Sequence, residues 1–189
     1  LEVYDIADIL SSGQRGFPAL AGYARENGKI TAYDSNWRPP LCGSRAEGIA
    51  AMSSLVGRAD IMKVSEAELT LLSEKDDMAD GAAELPGQGV KLVVATLGAR
   101  GCAAYTPAFS LHRNTYNTEI QDTTGSDDSF FGALLAMISS CKDLLQLGIK
   151  HFKDTDTFCA GINCNVPVQD IFPDLYRAVY RSAVTKIFH

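Results

Sequence analysis

The sequence predicts an α/β fold in which a mostly parallel sheet is covered by helices on both faces. Short apolar runs alternate along the chain with segments of ordinary helix length, and this alternation implies right-handed βαβ units. The run 90–96 (VKLVVAT) is nearly all apolar, which is typical of a strand buried on both sides. The chain has 189 residues, 46% of them apolar and 21% charged, so it can form one domain with a sizeable core.

Three strand–helix pairs are predicted in the first half of the chain. The strands are the apolar runs within 1–12, at 29–34 and at 59–64, and the helices follow at 17–27, at 45–56 and from 66 onwards. Gly28 is a natural stop for the first helix, and Ser44 and Ser65 can cap the second and the third. The predicted apolar face of the first helix is shared by Leu20, Tyr23 and Ala24.

The chain from residue 78 onwards is predicted to contain two strands and five helices. The strands are 90–96 and 102–105, and the helices are 78–88, 127–140 and weaker segments near 143–149, 153–164 and 170–185. Gly98 and Gly101 form the turn between the two strands. Residues 107–121 give no clear prediction, because proline and asparagine interrupt a weakly strand-like stretch.

The net charge and the cysteine content indicate which kinds of partner and which cellular compartment to expect. The net charge is −6 and the pI is near 5.0, so the surface would repel nucleic acid and anionic membranes, and a small molecule or a protein is the expected partner. No apolar run has membrane-spanning length. The five cysteines are irregularly spaced, which indicates reduced thiols and a cytoplasmic location. The first residue is Leu1, and we expect an N-terminal portion to be missing.

Four polar clusters follow predicted strand ends. They are 34–38 (DSNWR), 63–68 (KVSEAE), 96–101 (TLGARG) and 122–128 (DTTGSDD). Because parallel strands bring their carboxyl ends to one edge of a sheet, where ligands of such folds bind, we expect all four to converge there. Single residues have simpler explanations: Glu68 has capping-box spacing from Ser65. Arg38 suits a surface ion pair, and Trp37 suits a core anchor.

The fourth cluster suits the transfer of a phosphoryl group. A glycine-containing turn that opens an apolar helix presents unpaired N–H groups, and the helix dipole adds positive potential, so the turn at Gly125 can form an anion hole. Asp128 in the first turn could accept the proton of an attacking hydroxyl. From spacing alone, helix capping by threonine and aspartate is the commoner explanation of such a pattern.

Taken together, the clusters resemble the motifs of the ribokinase-like (PfkB) carbohydrate kinases. The segment QDTTGSDDSFFGALL resembles the signature D-T-T-G-A-G-D-x-F, and YDSNWRPPL resembles the D-P-N-x-R-P-x-L segment of fructokinases and 2-keto-3-deoxygluconate kinases. ADIMKVSEAEL resembles A-D-x-x-K-x-S/N-E-x-E-L. KLVVATLGARGCAAYT resembles the strand and T-L-G-x-x-G turn beside the nucleotide. The similarity extends from residue 5 to residue 140 and is weak afterwards.

The resemblance implies a three-layer αβα ribokinase-like fold with a mostly parallel sheet. Residues 1–189 would form a single domain, the C-terminal two-thirds of the family's fold, without its lid and first strands. The implied activity is that of an ATP-dependent sugar kinase, with a ketose such as fructose as the favoured substrate. In this family the lid often mediates homodimers.

Catalytic roles would fall at the start of the helix after the fourth cluster. Asp128 matches the catalytic base of the family. The anion hole is matched by the backbone of Gly125, Ser126, Asp127 and Asp128. Asp122 and Thr124 stand where many members hold a monovalent cation such as K⁺.

Binding roles would fall on the other three clusters. The positions that match ATP- and Mg²⁺-binding ones are Thr96, Gly98, Gly101, Ser65 and Glu68. In the family the acidic residue at Glu68 organises Mg²⁺ through water. The positions that line the cleft between sugar and phosphates are Asp34, Asn36 and Arg38.

One position of the fourth cluster departs from the family pattern. The central glycine of G-A-G-D is Asp127 here, and its carboxylate could lie near the transferring phosphate. A second hypothesis is therefore a catalytically impaired relative that acts as a nucleotide-binding or structural module. A third hypothesis is a different Rossmann-like binding protein whose motifs match by chance.

Overall fold

The computed structural model describes residues 2–4, 16–114 and 126–139, and the chain divides into two compact units, Leu1–Arg113 and Asn114–His189. The described part of the first unit has six strands: β1 (Glu2–Tyr4), β2 (Thr31–Asp34), β3 (Ile61–Ser65), β4 (Leu92–Thr96), β5 (Cys102–Tyr105) and β6 (Ser110–Arg113). It also has the helices α1 (Gly16–Glu26), α2 (Arg45–Val56), α3 (Glu66–Ser73) and α4 (Met78–Gly87). The described part of the second unit is α5 (Ser126–Ser139). The helices predicted after residue 140 lie outside the described residues, and a single domain over 1–189 stays a prediction.

The strands form one mixed sheet in the order β1-β2-β3-β4-β5-β6. Strands β1 to β4 pair in parallel with one another, whereas β5 is antiparallel to β4 and β6 is antiparallel to β5. The prediction of an α/β fold with a mostly parallel sheet is therefore confirmed. The sequence pattern gives no clear prediction of β6, because Ser110–Arg113 contain a single apolar residue, Leu111, and Pro107 and Asn114 interrupt the stretch around them.

Strands β2, β3 and β4 each begin two residues later than their apolar runs predict. The residues at the three predicted starts are Lys29, Ala59 and Val90. Each donates its backbone N–H to a carbonyl at the end of the preceding helix, over 2.9, 3.0 and 3.4 Å respectively. These hydrogen bonds tie the first residue of each apolar run to the preceding helix end, so strand pairing starts only after them.

Helix α1 packs with a different face from the one its pattern predicts. Ala21 and Ala24 are 2% and 5% exposed, whereas Leu20 and Tyr23 are 49% and 65% exposed. Ala21 belongs to the main apolar core, which β3, β4, α2 and α4 also line. The prediction that Leu20 and Tyr23 share the packed face with Ala24 is therefore wrong. Helical periodicity admits both faces, and packing against the core selects the one with small side chains.

At the amino-terminal edge of the sheet, Asp60 connects β2, β3 and β4. Its carboxylate accepts hydrogen bonds from the N–H and the Oγ1 of Thr31, over 2.9 and 3.1 Å. The Nζ of Lys91 lies 3.0 Å from its other oxygen. Burial raises the pKa of the Asp60 carboxyl, but the contacts from Thr31 and Lys91 outweigh burial, and the net effect is a lowered pKa.

We expect Asp60→Asn to lower the free energy of unfolding by about 1.5–3 kcal/mol, the range for a hydrogen bond to a charged group. Because the folded-state pKa lies below the ordinary value of 3.8, this stabilisation is present above that value and is lost as the pH falls through the folded-state pKa. Urea unfolding measured over a series of pH values should therefore show a steeper acid loss in the wild type than in the variant. Parallel curves would contradict the prediction, and exposed Asp76→Asn is the matched control.

Helix α5, described over Ser126–Ser139, overlaps the helix predicted over 127–140. The apolar residues that recur at helical spacing are buried, namely Phe130, Phe131, Leu134, Leu135 and Ile138. Asp127 and Asp128 lie exposed in the first turn, where carboxylates interact favourably with the helix dipole. Within the described residues, no helix combines the length and the apolar character that a membrane span requires.

Candidate active site

The carboxyl ends of β2, β3 and β4 bring three of the four polar clusters to one edge of the sheet. Asp34 is the register partner of Lys63 across β2 and β3, and Ser65 is the partner of Thr96 across β3 and β4. Strands β2 and β4 lead into polar turns, and β3 leads directly into the first turn of α3. This is the edge at which parallel α/β sheets bind ligands.

Asp34 and Lys63 form a buried ion pair at this edge. The Nζ of Lys63 lies 3.2 and 3.0 Å from the two carboxylate oxygens of Asp34. Lys63 is 3% exposed and Asp34 is 6% exposed. Charges this deeply buried are strongly destabilising without a partner, so each residue holds the other in place. Ser35 extends the connection, because its N–H and its Oγ both donate to the carbonyl of Lys63, over 3.2 and 3.3 Å.

The family motifs place Lys63 in the second cluster, but sequence analysis assigns it no role. The sequence does contain a signal for such a role, because a lysine inside the apolar run IMKV requires a buried partner. The identity of that partner depends on the pairing of β2 with β3, which the local pattern does not encode.

Glu68 accepts backbone hydrogen bonds from two different parts of the chain. Its Oε2 accepts the N–H of Ser65 over 2.6 Å, and the Oγ of Ser65 accepts the N–H of Glu68 over 3.3 Å, which completes a capping box. Its Oε1 accepts the N–H of Trp37 over 2.5 Å. The capping explanation for Glu68 is therefore realised, and the contact with Trp37 adds a link that the sequence does not predict.

The Glu68 carboxylate also fits a role toward a metal ion through water. It offers about four lone-pair directions, of which Ser65 and Trp37 occupy two. The others can accept hydrogen bonds from water bound to Mg²⁺, an ion that usually keeps several waters. Among the residues described, no three His, Cys, Asp or Glu side chains come together in a group that could ligate a metal directly.

The segment 35–38, called here the Trp37 loop, connects β2 to the short 3₁₀ turn Pro39–Leu41. Trp37 is half-buried and packs against the main core, so the core-anchor explanation for this residue holds. Its Cη2 lies 3.4 Å from where a Cβ on Gly48 of α2 would stand. Asn36 has a positive φ of 38°, and the side chain of Arg38 is exposed.

The turn between β4 and β5 requires both of its glycines. Gly98 and Gly101 have φ values of 57° and 91°, a region of backbone conformation that side chains disfavour. Arg100 of this turn forms an exposed ion pair with Glu66 in the first turn of α3. The turn therefore lies beside the start of α3, next to Thr96 at the end of β4.

Of the fourth cluster, only the start of α5 is described. Ser126 is the first residue of that helix, and Asp127 and Asp128 follow in its exposed first turn. Asp122, Thr124 and Gly125, the remaining predicted residues of this cluster, lie outside the described residues.

Comparison with known proteins identifies the family. A family model described as pfkB family carbohydrate kinase matches residues 11–148. The chain belongs to the pfkB family of carbohydrate kinases. This pfkB chain is 40% identical over 124 residues to probable fructokinase-3 of Arabidopsis thaliana, a match that covers 65% of the chain and 36% of the relative.

A second relative of this pfkB chain is fructokinase-2 of Solanum lycopersicum, which is 37% identical over 124 residues. That match covers 65% of the chain and 38% of the relative. The pfkB chain thus spans well under half of the length of both plant relatives.

Solved structures of related kinases share the fold of this pfkB chain. Fructokinase from Vibrio cholerae O395, in its fructose-, ADP- and calcium-bound form, aligns with a TM-score of 0.74 at 26% identity, over 84% of the chain and 51% of that structure. Aminoimidazole riboside kinase from Salmonella enterica, complexed with aminoimidazole riboside and an ATP analog, gives 0.72 at 25% identity, over 90% and 58%. The predicted family and fold class are thereby confirmed.

Proposed function

We propose that this protein transfers the terminal phosphate of ATP to a sugar hydroxyl, with fructose as the favoured acceptor. The observation that carries the proposal is the sheet edge that holds the clusters of Asp34, Glu68 and Thr96, in a chain of the pfkB family. The names of the two plant relatives, both fructokinases, support a ketose as the acceptor.

ATP is assigned to the turn after β4 and the start of α3. Gly98 has open space beside it, so its backbone can be approached closely. Thr96, Gly101 and Ser65 complete the proposed nucleotide contacts. The chain carries a net charge of −6, so the charge of the triphosphate has to be met locally. Bound Mg²⁺ would supply most of that compensation, with Glu68 accepting hydrogen bonds from its water ligands.

The sugar side of the site is assigned to Asn36 and Arg38. The guanidinium of Arg38 is exposed and can donate several hydrogen bonds to phosphate or hydroxyl oxygens. The family motif groups Asp34 with them. Its buried pairing with Lys63 supports a role in holding the loop rather than in direct contact with the sugar.

The chemical step is assigned to the residues around the start of α5. Asp128 would accept the proton of the sugar hydroxyl as that oxygen attacks the terminal phosphorus in line with the leaving ADP. The backbone N–H groups of Gly125, Ser126, Asp127 and Asp128 would stabilise the transferring group as an anion hole. Asp122 and Thr124 would hold a monovalent cation such as K⁺ beside it.

This kinase would act in the cytoplasm on ATP and a small sugar, without nucleic acid or membrane as partner. The acidic net charge and the irregular cysteines support that assignment. A homodimer is part of the proposal for the full-length form only.

ADP formation by the 189-residue chain tests the proposal. We expect ADP release to require both fructose and Mg²⁺, and to match the fructose phosphate formed mole for mole. Binding of ATP without fructose-dependent ADP release would contradict the kinase proposal and favour a nucleotide-binding module, the second hypothesis. The presence of Asp127 at the glycine position is the observation that favours this second candidate.

A further inference from the structure

We propose that Glu68 is a positioning residue of the Trp37 loop, and that it holds Asn36 and Arg38 in place by accepting the N–H of Trp37. This inference rests on the proposed function, because it assumes that the loop faces the sugar. The inference assigns a second role to the Glu68 carboxylate, which the family motif connects only with Mg²⁺.

Glu68 offers the loop an acceptor of fixed orientation. One carboxylate oxygen is held by the N–H of Ser65 over 2.6 Å, and the other accepts the N–H of Trp37 over 2.5 Å. The residue is 8% exposed, so water competes little for either bond. Hydrogen bonds to a charged acceptor are about twice as strong as neutral ones. The capping box thus orients the group that fixes the loop.

Within the loop, Asn36 has a further anchor on each side. On one side, Ser35 is tied to the carbonyl of Lys63 through both its N–H and its Oγ. After Asn36, the Trp37 ring packs against the core beside Gly48. Asn36 lies between these anchors with a φ of 38°, a conformation that a non-glycine residue keeps when its surroundings impose it. The placement of Asn36 therefore depends on both anchors.

Glutamine cannot replace Glu68 in this arrangement. Two backbone donors, Ser65 N–H and Trp37 N–H, require two acceptors, whereas a glutamine side chain has one acceptor oxygen and one NH₂ donor. In Glu68→Gln the side-chain NH₂ group therefore faces one of the two backbone N–H groups, and the hydrogen bond to that N–H group is lost. The capping box is local, so the longer connection to Trp37 is the one expected to open.

Trp37 makes the prediction measurable, because it is the single tryptophan of the chain. In the chain free of metal and nucleotide, we expect Glu68→Gln to accelerate hydrogen exchange of the Trp37 amide by about tenfold or more. The tryptophan emission should shift in parallel. Glu66→Gln removes a neighbouring exposed carboxylate of the same helix turn and should leave both readouts at wild-type values. A carboxylate that served only Mg²⁺ would leave both unchanged in the metal-free chain.

Two measurements make the outcome decisive. Unchanged Trp37 exchange in folded Glu68→Gln would overturn the proposal. If that variant does not fold, the wild type is used instead, and we measure the scalar coupling between the Trp37 nitrogen and the Glu68 carboxylate carbon across their hydrogen bond. Absence of this coupling would equally overturn the proposal.

Kinetics separate this proposal from the proposed function. At saturating Mg²⁺ and ATP, Glu68→Gln should raise the KM for fructose if Glu68 positions the loop. If the KM for fructose stays unchanged and only the Mg²⁺ concentration needed for activity rises, Glu68 serves the metal alone and the positioning role is overturned. If the wild-type chain does not turn over fructose, the proposed function fails, whereas the exchange measurement still decides whether Glu68 holds the loop.

Discussion

The Asp128→Asn chain should form ADP from ATP and fructose about 10²- to 10⁴-fold more slowly than the wild type, the range that general base catalysis contributes. Asparagine keeps the size of the side chain and the hydrogen-bonding N–H of its backbone, but it cannot accept a proton. Binding of ATP should therefore change little, and the loss should fall on kcat. Steady-state kinetics together with calorimetric ATP binding separate the two quantities.

A matched control for this variant is Asp80→Asn. Asp80 is also an exposed aspartate in the first turn of a helix, α4, and no role in the site is proposed for it. It should retain wild-type kcat. Equal activity of Asp128→Asn and wild type would remove Asp128 from the base position and with it the proposed mechanism.

Asp127→Gly should raise fructose-dependent ADP formation, because it removes a negative charge near the place proposed for the transferring phosphate. Two unit charges about 4 Å apart repel by roughly 1 kcal/mol in water and by roughly 4 kcal/mol at an effective dielectric of 20. If that repulsion is felt in the transition state, the gain in kcat lies between about fivefold and about a thousandfold. The exposure of the Asp127 side chain favours the lower part of that range.

Asp127→Asn separates charge from backbone effects in the same experiment. It removes the charge but keeps a side chain, so it should recover most of the gain if repulsion is the cause. Glycine should in addition destabilise α5 by up to about 1 kcal/mol, because it is a poor helix former and loses a favourable charge at the helix start. A kcat that stays at the wild-type value in both variants would show that Asp127 does not impair the reaction.

Local rules account for the parts of the fold that sequence analysis predicts best. Ser44 caps α2 by accepting the N–H of Glu47 over 3.2 Å, and Ser65 and Glu68 form their capping box at a spacing of three residues. Both contacts lie within one helix turn, so the residue types and their offset are sufficient to predict them. The same reasoning applies to the glycines of the turn after β4, whose positive φ values the turn itself requires.

Packing decides the features that sequence analysis misses. The apolar pattern of α1 allows more than one face, and the core accepts Ala21 and Ala24 while Leu20 and Tyr23 stay exposed. The late starts of β2, β3 and β4 arise because the preceding helices use the first N–H groups of the apolar runs. In both cases a neighbouring element contacts the residues concerned, and the local sequence pattern does not predict where that element lies.

For the candidate site, the sequence by itself determines which residue types follow each strand and that parallel strands bring them to one edge. Only the tertiary structure decides which of them touch: Lys63 pairs with Asp34 across 29 residues, and Glu68 accepts the N–H of Trp37 across 31. The physical reason is that both contacts depend on strand register and loop closure. Those properties belong to the assembled sheet, whereas residue spacing along the chain constrains only neighbours within a turn or two.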